Sequence, residues 1–401
     1  MALETQTAPP KVRLDPVRWM RDNLFSSWAN SILTIVAVVL LYSIVQPASR
    51  WIFTQADWTV VVANLKLLMV GQYPLDQVWR VWLSLLLTMA MLGVSKGVWS
   101  KVVGNVGPAY VLGLTLLAVL PFPLYGLTNR LWLAAGAAVL IGGWWLGRRY
   151  GASPTFRNGV SWAWVLLLPL VLLLLRGIEP LLPVIPTRAW GGLLLTFVLA
   201  ITTIVFSFPI GVLLAVGRRS SLPAVSIFST IYIEVFRGVP LVTVLFMFLI
   251  MLPLFVPGSE STDNIIRAIV GFTLFTAAYI AENVRGGLQS IPKGQFEAAK
   301  AVGLNPFLTM VLIILPQALR IVIPSNVSQY VSLYKDTALV VVAGGGMLEL
   351  LGISRNIANQ PEFLGKFIEA LVFAGVLYWI FAFSMSYIAR RLEAEMGVSK
   401  R

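Results

Sequence analysis

Apolar residues run along this 401-residue chain in long blocks, with polar residues clustered briefly between them. Ala189 to Gly217, for example, contains nothing ionisable and is bounded by Arg188 and Arg218. About 20 apolar residues cross a bilayer as a helix, so such blocks read as membrane spans. They do not alternate apolar with polar positions, as the strands of a β-barrel would. The pattern predicts an all-α, polytopic membrane protein with about ten transmembrane helices. The expected spans are 28–45, 78–98, 108–128, 131–147, 161–176, 190–216, 225–254, 266–287, 321–344 and 367–388. A segment holding Trp58, Asn64, Lys66 and Tyr73 is amphipathic and reads as interfacial.

Composition supports this. The chain is 58% hydrophobic and 12% charged, about half the charged fraction of a soluble domain. The net charge of +13 follows topology rather than nucleic acid, because the basic residues sit largely in short loops. With the N-terminus inside, the basic clusters Lys96/Lys101, Arg148/Arg149/Arg157, Arg218/Arg219, Arg285/Lys293/Lys300 and Arg390/Arg391 all fall on the cytoplasmic side. Both termini are then expected in the cytoplasm. No small-residue cleavage site follows the first apolar run, so no cleavable signal peptide is expected.

The chain holds no cysteine and no histidine. That excludes disulfides, thiolate nucleophiles, imidazole relays and the usual zinc sites. No phosphate-cradling G-x-x-x-x-G-K-[ST] occurs. Organisation is expected as a cytoplasmic tail (1–27), a membrane block of about five spans (28–176) and a proline-rich extracytoplasmic connector (177–189, around "GIEPLLPVIP"). A second block (190–391) and a short cytoplasmic tail (392–401) follow. Nearly all intramembrane polar residues fall in the second block. The first carries "GLTLLAVLPFPLYG", two prolines in one span, which neighbouring helices can accommodate.

Between the eighth and ninth spans stands "EAAKAVGLNPFLTMVLIILP" (297–316). Glu297 and Lys300 complement a helix dipole. Gly303 is placed to end that helix in the left-handed region. Asn305 and Pro306 form a cap and a first-turn proline that restart one. The ten residues "FLTMVLIILP" are only about 15 Å long as a helix, too short to cross. Treating them as a span would also put Arg390 and Arg391 outside. The segment 290–316 is therefore expected at the cytoplasmic surface. It is either a lever that docks on a soluble partner or a plain connection between spans.

The stretch resembles the EAA loop of bacterial ABC importer permeases, with Glu297, Ala298, Ala299, Gly303, Ile313, Leu315 and Pro316 matching position by position. "YIEVFRGVPL" (232–241), "AAYIAENVRGGLQSIPKGQ" (277–295) and "QYVSLYKDTALV" (329–340) are similar to the polar and general amino-acid permeases. The five-span extension is similar to that of the long permease subunit of general L-amino-acid importers. The resemblance implies a type I permease core in 190–391, whose coupling helix in 290–316 fits a cleft on a separate ATPase. Glu297 would pair with a basic group there, Ala298 and Ala299 would form the contact face, Gly303 would make the turn, and Leu315 and Pro316 would close the motif.

Polar residues inside spans are costly in lipid and mark function or internal pairing. Glu234 and Arg237 share a helix face and can pair with each other or meet substrate. Tyr279, Glu282 and Asn283 share a face suited to an ammonium group, unless Arg285 neutralises Glu282. Gln329, Lys335 and Asp336 fall in the ninth span. Lys335 can meet a substrate carboxylate or pair with Glu282. "GGG" (344–346) reads as a turn or a gate.

The expected function is the transmembrane permease subunit of a bacterial ABC importer for L-amino acids of the polar or general range, working by alternating access in the inner (plasma) membrane. It is not itself an enzyme and has no catalytic residue, no metal site and no cofactor of its own; ATP and Mg belong to partner ATPase subunits. Expected partners are a second permease subunit (heterodimer over homodimer), two ATPase subunits, an extracytoplasmic amino-acid-binding protein and the lipid bilayer, with no nucleic acid. The alternatives are an ion-coupled secondary amino-acid transporter and a membrane enzyme.

Overall fold

A computed structural model describes residues 15–99, 106–119, 126–258 and 261–395. It divides into two compact units, Met1–Trp58 and Thr59–Arg401. In the first, Asp15 caps α1 (Pro16–Asn23) by accepting from the N–H groups of Val17 and Arg18. Ser27 caps α2 (Trp28–Arg50), which continues as a π turn over Trp51–Gln55. No α2 residue is buried within the chain, as lipid-facing apolar side chains require.

The second unit carries the remaining helices. Two short ones, α3 (Thr59–Ala63) and α4 (Leu65–Val70), replace the expected interfacial segment. Their apolar side turns into protein rather than lipid: Val60, Leu68 and Tyr73 are fully buried. The Tyr73 hydroxyl donates to the Leu175 carbonyl at 2.7 Å. Then come α5 (Val78–Val98), α6 (Val106–Val119), α7 (Leu127–Tyr150) and α8 (Pro154–Arg176). The α5–α7 pair is close because glycines leave room for backbone. A Cβ on Gly93 would stand 2.3 Å from the Leu140 oxygen, and one on Gly147 2.2 Å from that of Val94. Trp82 and Trp132 stack across the same pair. The prolines Pro121 and Pro123, and the basic residue Lys101, lie outside the described residues.

The proline-rich connector is pinned. Fully buried Arg80 donates to the Pro183 carbonyl at 2.9 Å, and the Ile185 N–H to that of Arg176 at 2.7 Å. Beyond it run α9 (Gly192–Arg218), α10 (Pro223–Gly238), α11 (Leu241–Phe255) and α12 (Asn264–Gln289). The last helices are α13 (Lys293–Ala301), α14 (Pro306–Ala343), α15 (Leu350–Ile357) and α16 (Phe367–Glu395). At the start of α9, Gly71 (φ +67°) and Gly191 pass backbone to backbone; a Cβ on Gly71 would lie 2.5 Å from the Gly191 Cα. Glu349, fully buried, caps α15 through the Leu351 and Gly352 N–H groups and accepts from the Tyr378 hydroxyl at 2.6 Å.

Among the described residues, eight helices are long and apolar enough to cross a bilayer, or nine if the bent pair α10–α11 is one span. The helix α6 has 14 described residues, and its continuation lies outside them. The seventh expected span is thus not straight. It turns by 105° between Gly238 and Leu241, where Pro240 has no N–H to give and extended Val239 leaves the helix. Its halves fasten to α12 separately: Tyr232 donates to the Leu274 carbonyl, and Arg267 to that of Leu249.

Candidate functional site

The segment 290–316 folds as its punctuating residues dictate. After Pro292, α13 runs to Ala301. Gly303 follows with φ +80°, a region that costs other residues about 1–2 kcal/mol. There the N–H groups of Gly303 and Leu304 reach back to the carbonyls of Lys300 (3.0 Å) and Ala299 (3.1 Å). Asn305 accepts from the Leu308 N–H at 2.8 Å, with Pro306 in the first turn. Gln317 donates to Gln295 at 3.2 Å and ties α13 to α14.

The helix α13 has two unlike faces. Phe296 packs on an internal cluster that includes Leu288, Ile291 and Ile314. Ala299 is 4% exposed and faces the same way, so it is part of the helix's seat, not of an outward contact face as expected. Glu297, Ala298 and Lys300 face outward. Val302 and Phe307, at the turn, are 75% and 72% exposed. Leu315 packs on the internal cluster, and Pro316 is exposed.

The return helix was expected to be too short to cross, with the ninth span beginning only at 321. Instead α14 is continuous for 38 residues. A π turn over Thr309–Ile314 links its parts, with the Leu315 N–H bonding Met310, five residues back. The wide turn lets Pro316 join the helix rather than break it. At about 1.5 Å per residue α14 is about 57 Å long, against a hydrocarbon layer of about 30 Å. The helix is therefore longer than the layer it crosses, and α13 stands at its first turns.

Above this lies an ionic cluster from three helices. Glu282 on α12 accepts from Arg285 Nε with both oxygens at 3.0 Å, and also from Arg285 Nη2. Arg218 of α9 and Arg237 of α10 each stand 3.6 Å from it. Arg218 also binds Glu234 at 2.8 Å. The expected Glu234–Arg237 pair is therefore not formed. A four-residue turn brings the end of α9 against α10, so Glu234 finds Arg218, while Arg237 turns to Glu282 and lies over the Tyr279 ring. Three arginines against two glutamates leave one net positive charge, which disfavours the ammonium site expected of Tyr279, Glu282 and Asn283. Asn283 faces elsewhere and donates to Asn326 of α14 at 3.0 Å.

Neighbouring Arg219 joins this cluster to α13. It donates to the Leu288 carbonyl at 3.1 Å, and its guanidinium lies 5.9 Å from the Phe296 ring centroid. Sequence reasoning took Arg218 and Arg219 only as topology markers and missed Asn326. Their charge was visible; their partners, set by helix packing, were not. On α14, Gln329 and Asp336 are half-buried and Lys335 is exposed. Among the described residues Lys335 makes no ion pair, with Glu282 or otherwise. The "GGG" stretch ends α14 in a turn, with Gly344 left-handed at φ +90°.

A family profile described as "Binding-protein-dependent transport system inner membrane component" matches residues 207–398. The chain is 37% identical over 398 residues to the inner membrane amino-acid ABC transporter permease protein YhdY of Escherichia coli (strain K12), covering 95% of this chain and 93% of that one. It is 33% identical over 439 residues to the glutamate/glutamine/aspartate/asparagine transport system permease protein BztC of Rhodobacter capsulatus, covering 96% and 95%. A crystal structure of an amino acid ABC transporter with histidines aligns at 24% identity and a TM-score of 0.45, over 51% of this chain and 92% of that one.

Proposed function

The chain belongs to the family of binding-protein-dependent transport system inner membrane components, and from that premise we propose that it is the permease subunit of a bacterial importer driven by partner ATPases and taking up L-amino acids of the polar or general range. Relatives named as amino-acid permeases, similar along almost the whole chain, support the substrate class. None of them favours ion-coupled secondary transport.

One observation carries the mechanism: the outward face of α13, with exposed Val302 and Phe307 at its turn, stands at the foot of α14. Large apolar side chains exposed to water next to a charged helix mark a docking surface. Two ATPase subunits that bind ATP and Mg dock there, one on this chain and one on a second, non-identical permease subunit. Glu297 and Ala298 meet the ATPase, Gly303 sets the turn, and Ala299 and Leu315 seat the helix on the spans. Closure of the ATPases moves α13. Phe296 and Arg219 pass that movement to the ionic cluster of Glu282, Glu234, Arg218 and Arg237, which ties α9 and the α10 side of the bend to α12. The pathway then opens toward an extracytoplasmic binding protein that delivers the amino acid. Both termini lie in the cytoplasm, and the membrane is the bacterial inner membrane.

Gly303→Pro removes the N–H that reaches Lys300 and cannot adopt the left-handed turn. In the complete transporter reconstituted in liposomes, this variant should insert normally but lose at least about tenfold in uptake per ATP hydrolysed. The fold-change corresponds to about 1.4 kcal/mol of lost coupling. Uptake and ATPase stimulation both at wild-type levels would overturn the reading.

A further inference from the structure

We infer that one face of α14, carrying Ser325, Ser328, Gln329, Ser332 and Lys335, lines a water-filled pathway in which Lys335 binds the carboxylate of the transported amino acid. This rests on the importer reading above and assigns the substrate contact within it.

The argument begins with spacing. Ser325, Ser328, Ser332 and Lys335 follow one another at intervals of three, four and three residues, which places them on a single helical face. All four are exposed, and Gln329 at its edge is half-buried. The exposed faces of neighbouring spans differ sharply. On α9 they present Ile201, Val205, Phe206 and Leu213, the side chains that lipid accepts.

Depth makes the contrast decisive. The Asn283–Asn326 hydrogen bond fixes the level of α14 against antiparallel α12. Lys335 lies nine residues further along, about 13 Å toward the other side. That is level with about residue 274, near the middle of α12 (Asn264–Gln289). An ammonium at mid-bilayer depth is too far from either surface for its stem to carry it there, and lipid strongly disfavours it. Of the buried hydroxyls on other spans, Thr202, Thr203 and Thr273 have no partner among the described residues, whereas Ser84 and Thr196 bond their own helix. No such bond is made by Ser325, Ser328 or Ser332. Their hydrogen-bonding capacity is directed to whatever fills the space beside them. Water and a zwitterionic solute satisfy it, and the lone cation on the face selects the carboxylate end. The ionic cluster around Glu282 is different, because each of its charges already has an ionic partner within it.

The chain's lack of cysteine permits a direct test on the complete transporter. Single variants Ser328→Cys, Ser332→Cys and, as a lipid-facing control, Val205→Cys are exposed to a charged, water-soluble methanethiosulfonate, with and without ATP. The inference expects the two serine positions to react at least about tenfold faster than the control in one of the two states, because thiol reactivity follows the water-exposed thiolate. A mixture of L-glutamate and L-glutamine should slow that reaction. Lys335→Gln should raise the uptake KM about tenfold, as loss of a charge-assisted hydrogen bond does, with a smaller change in kcat. Lys335→Arg should restore most of the affinity. Labelling no faster than at Val205→Cys, in a transporter that still takes up amino acids, overturns the inference and leaves the importer reading standing. Cross-linking of Ser328→Cys to the second permease subunit without labelling also overturns it, since the face would then be a packed contact. A wild-type complex that takes up no amino acid overturns both.

Discussion

The pair α5–α7 and the trio α9–α10–α12 both bring helices together over glycines, Gly211 and Gly217 in the trio, but only the trio adds a cluster of charges. In the pair, glycines bring backbone against backbone, with Gly93 under Leu140, Gly143 under Ala90 and Gly147 under Val94. Small residues are how lipid-embedded helices gain contact without a hydrophobic driving force. In the trio, charges on three helices converge on Glu282. A close-packed backbone contact has one good arrangement. A cluster of long arginine side chains has several, and its partners can be exchanged as helices move. The difference predicts that the first block keeps its arrangement while the second can shift.

Four substitutions test that difference, from the largest effect to the smallest. Gly147→Leu puts a side chain where the Val94 oxygen already stands. It should destabilise the fold by about 3 kcal/mol or more, seen as a lost monodisperse peak in detergent and a lower thermal midpoint. Glu282→Gln leaves three arginines with Glu234 as their one carboxylate in the cluster, a cost of about 2 kcal/mol for a half-screened cluster. Its main effect should be functional: about tenfold less uptake, with the monodisperse peak retained. If both variants lose their folded state alike, the distinction between the two regions fails. Tyr73→Phe removes one buried hydrogen bond to Leu175, worth about 1 kcal/mol, and should lower the thermal midpoint without changing uptake per ATP. Asn305→Ala removes the cap on α14, about 1 kcal/mol or less at an exposed helix end. It should speed amide exchange at Leu308 while leaving the thermal midpoint nearly unchanged.

The sequence foreshadowed elements better than partnerships. Span positions were visible because lipid demands long apolar runs. The turn at Gly303 and the restart at Asn305–Pro306 were visible because each depends on residues within a few positions. Gly238 and Pro240 stand in the sequence at the bend of the seventh span, but its 105° angle depends on how α12 receives each half. The pairing of Glu234 with Arg218 rather than Arg237 was hidden because helix packing decides it. Continuity across Pro316 was hidden because a proline ordinarily reads as an end. The inward turn of Ala299 was hidden too, since an alanine fits either face of a helix.

The π turn at Thr309–Ile314 has a consequence for insertions and deletions. A π turn holds one residue more than the α turn it interrupts. Deleting one residue inside it lets the helix relax to ordinary geometry, so everything downstream keeps its angular phase. The same deletion in the regular stretch after Pro316 would rotate the rest of the helix by about 100°, turning Ser332 and Lys335 away from their face. Length variation between the coupling surface and the spans is thus tolerated at this one turn.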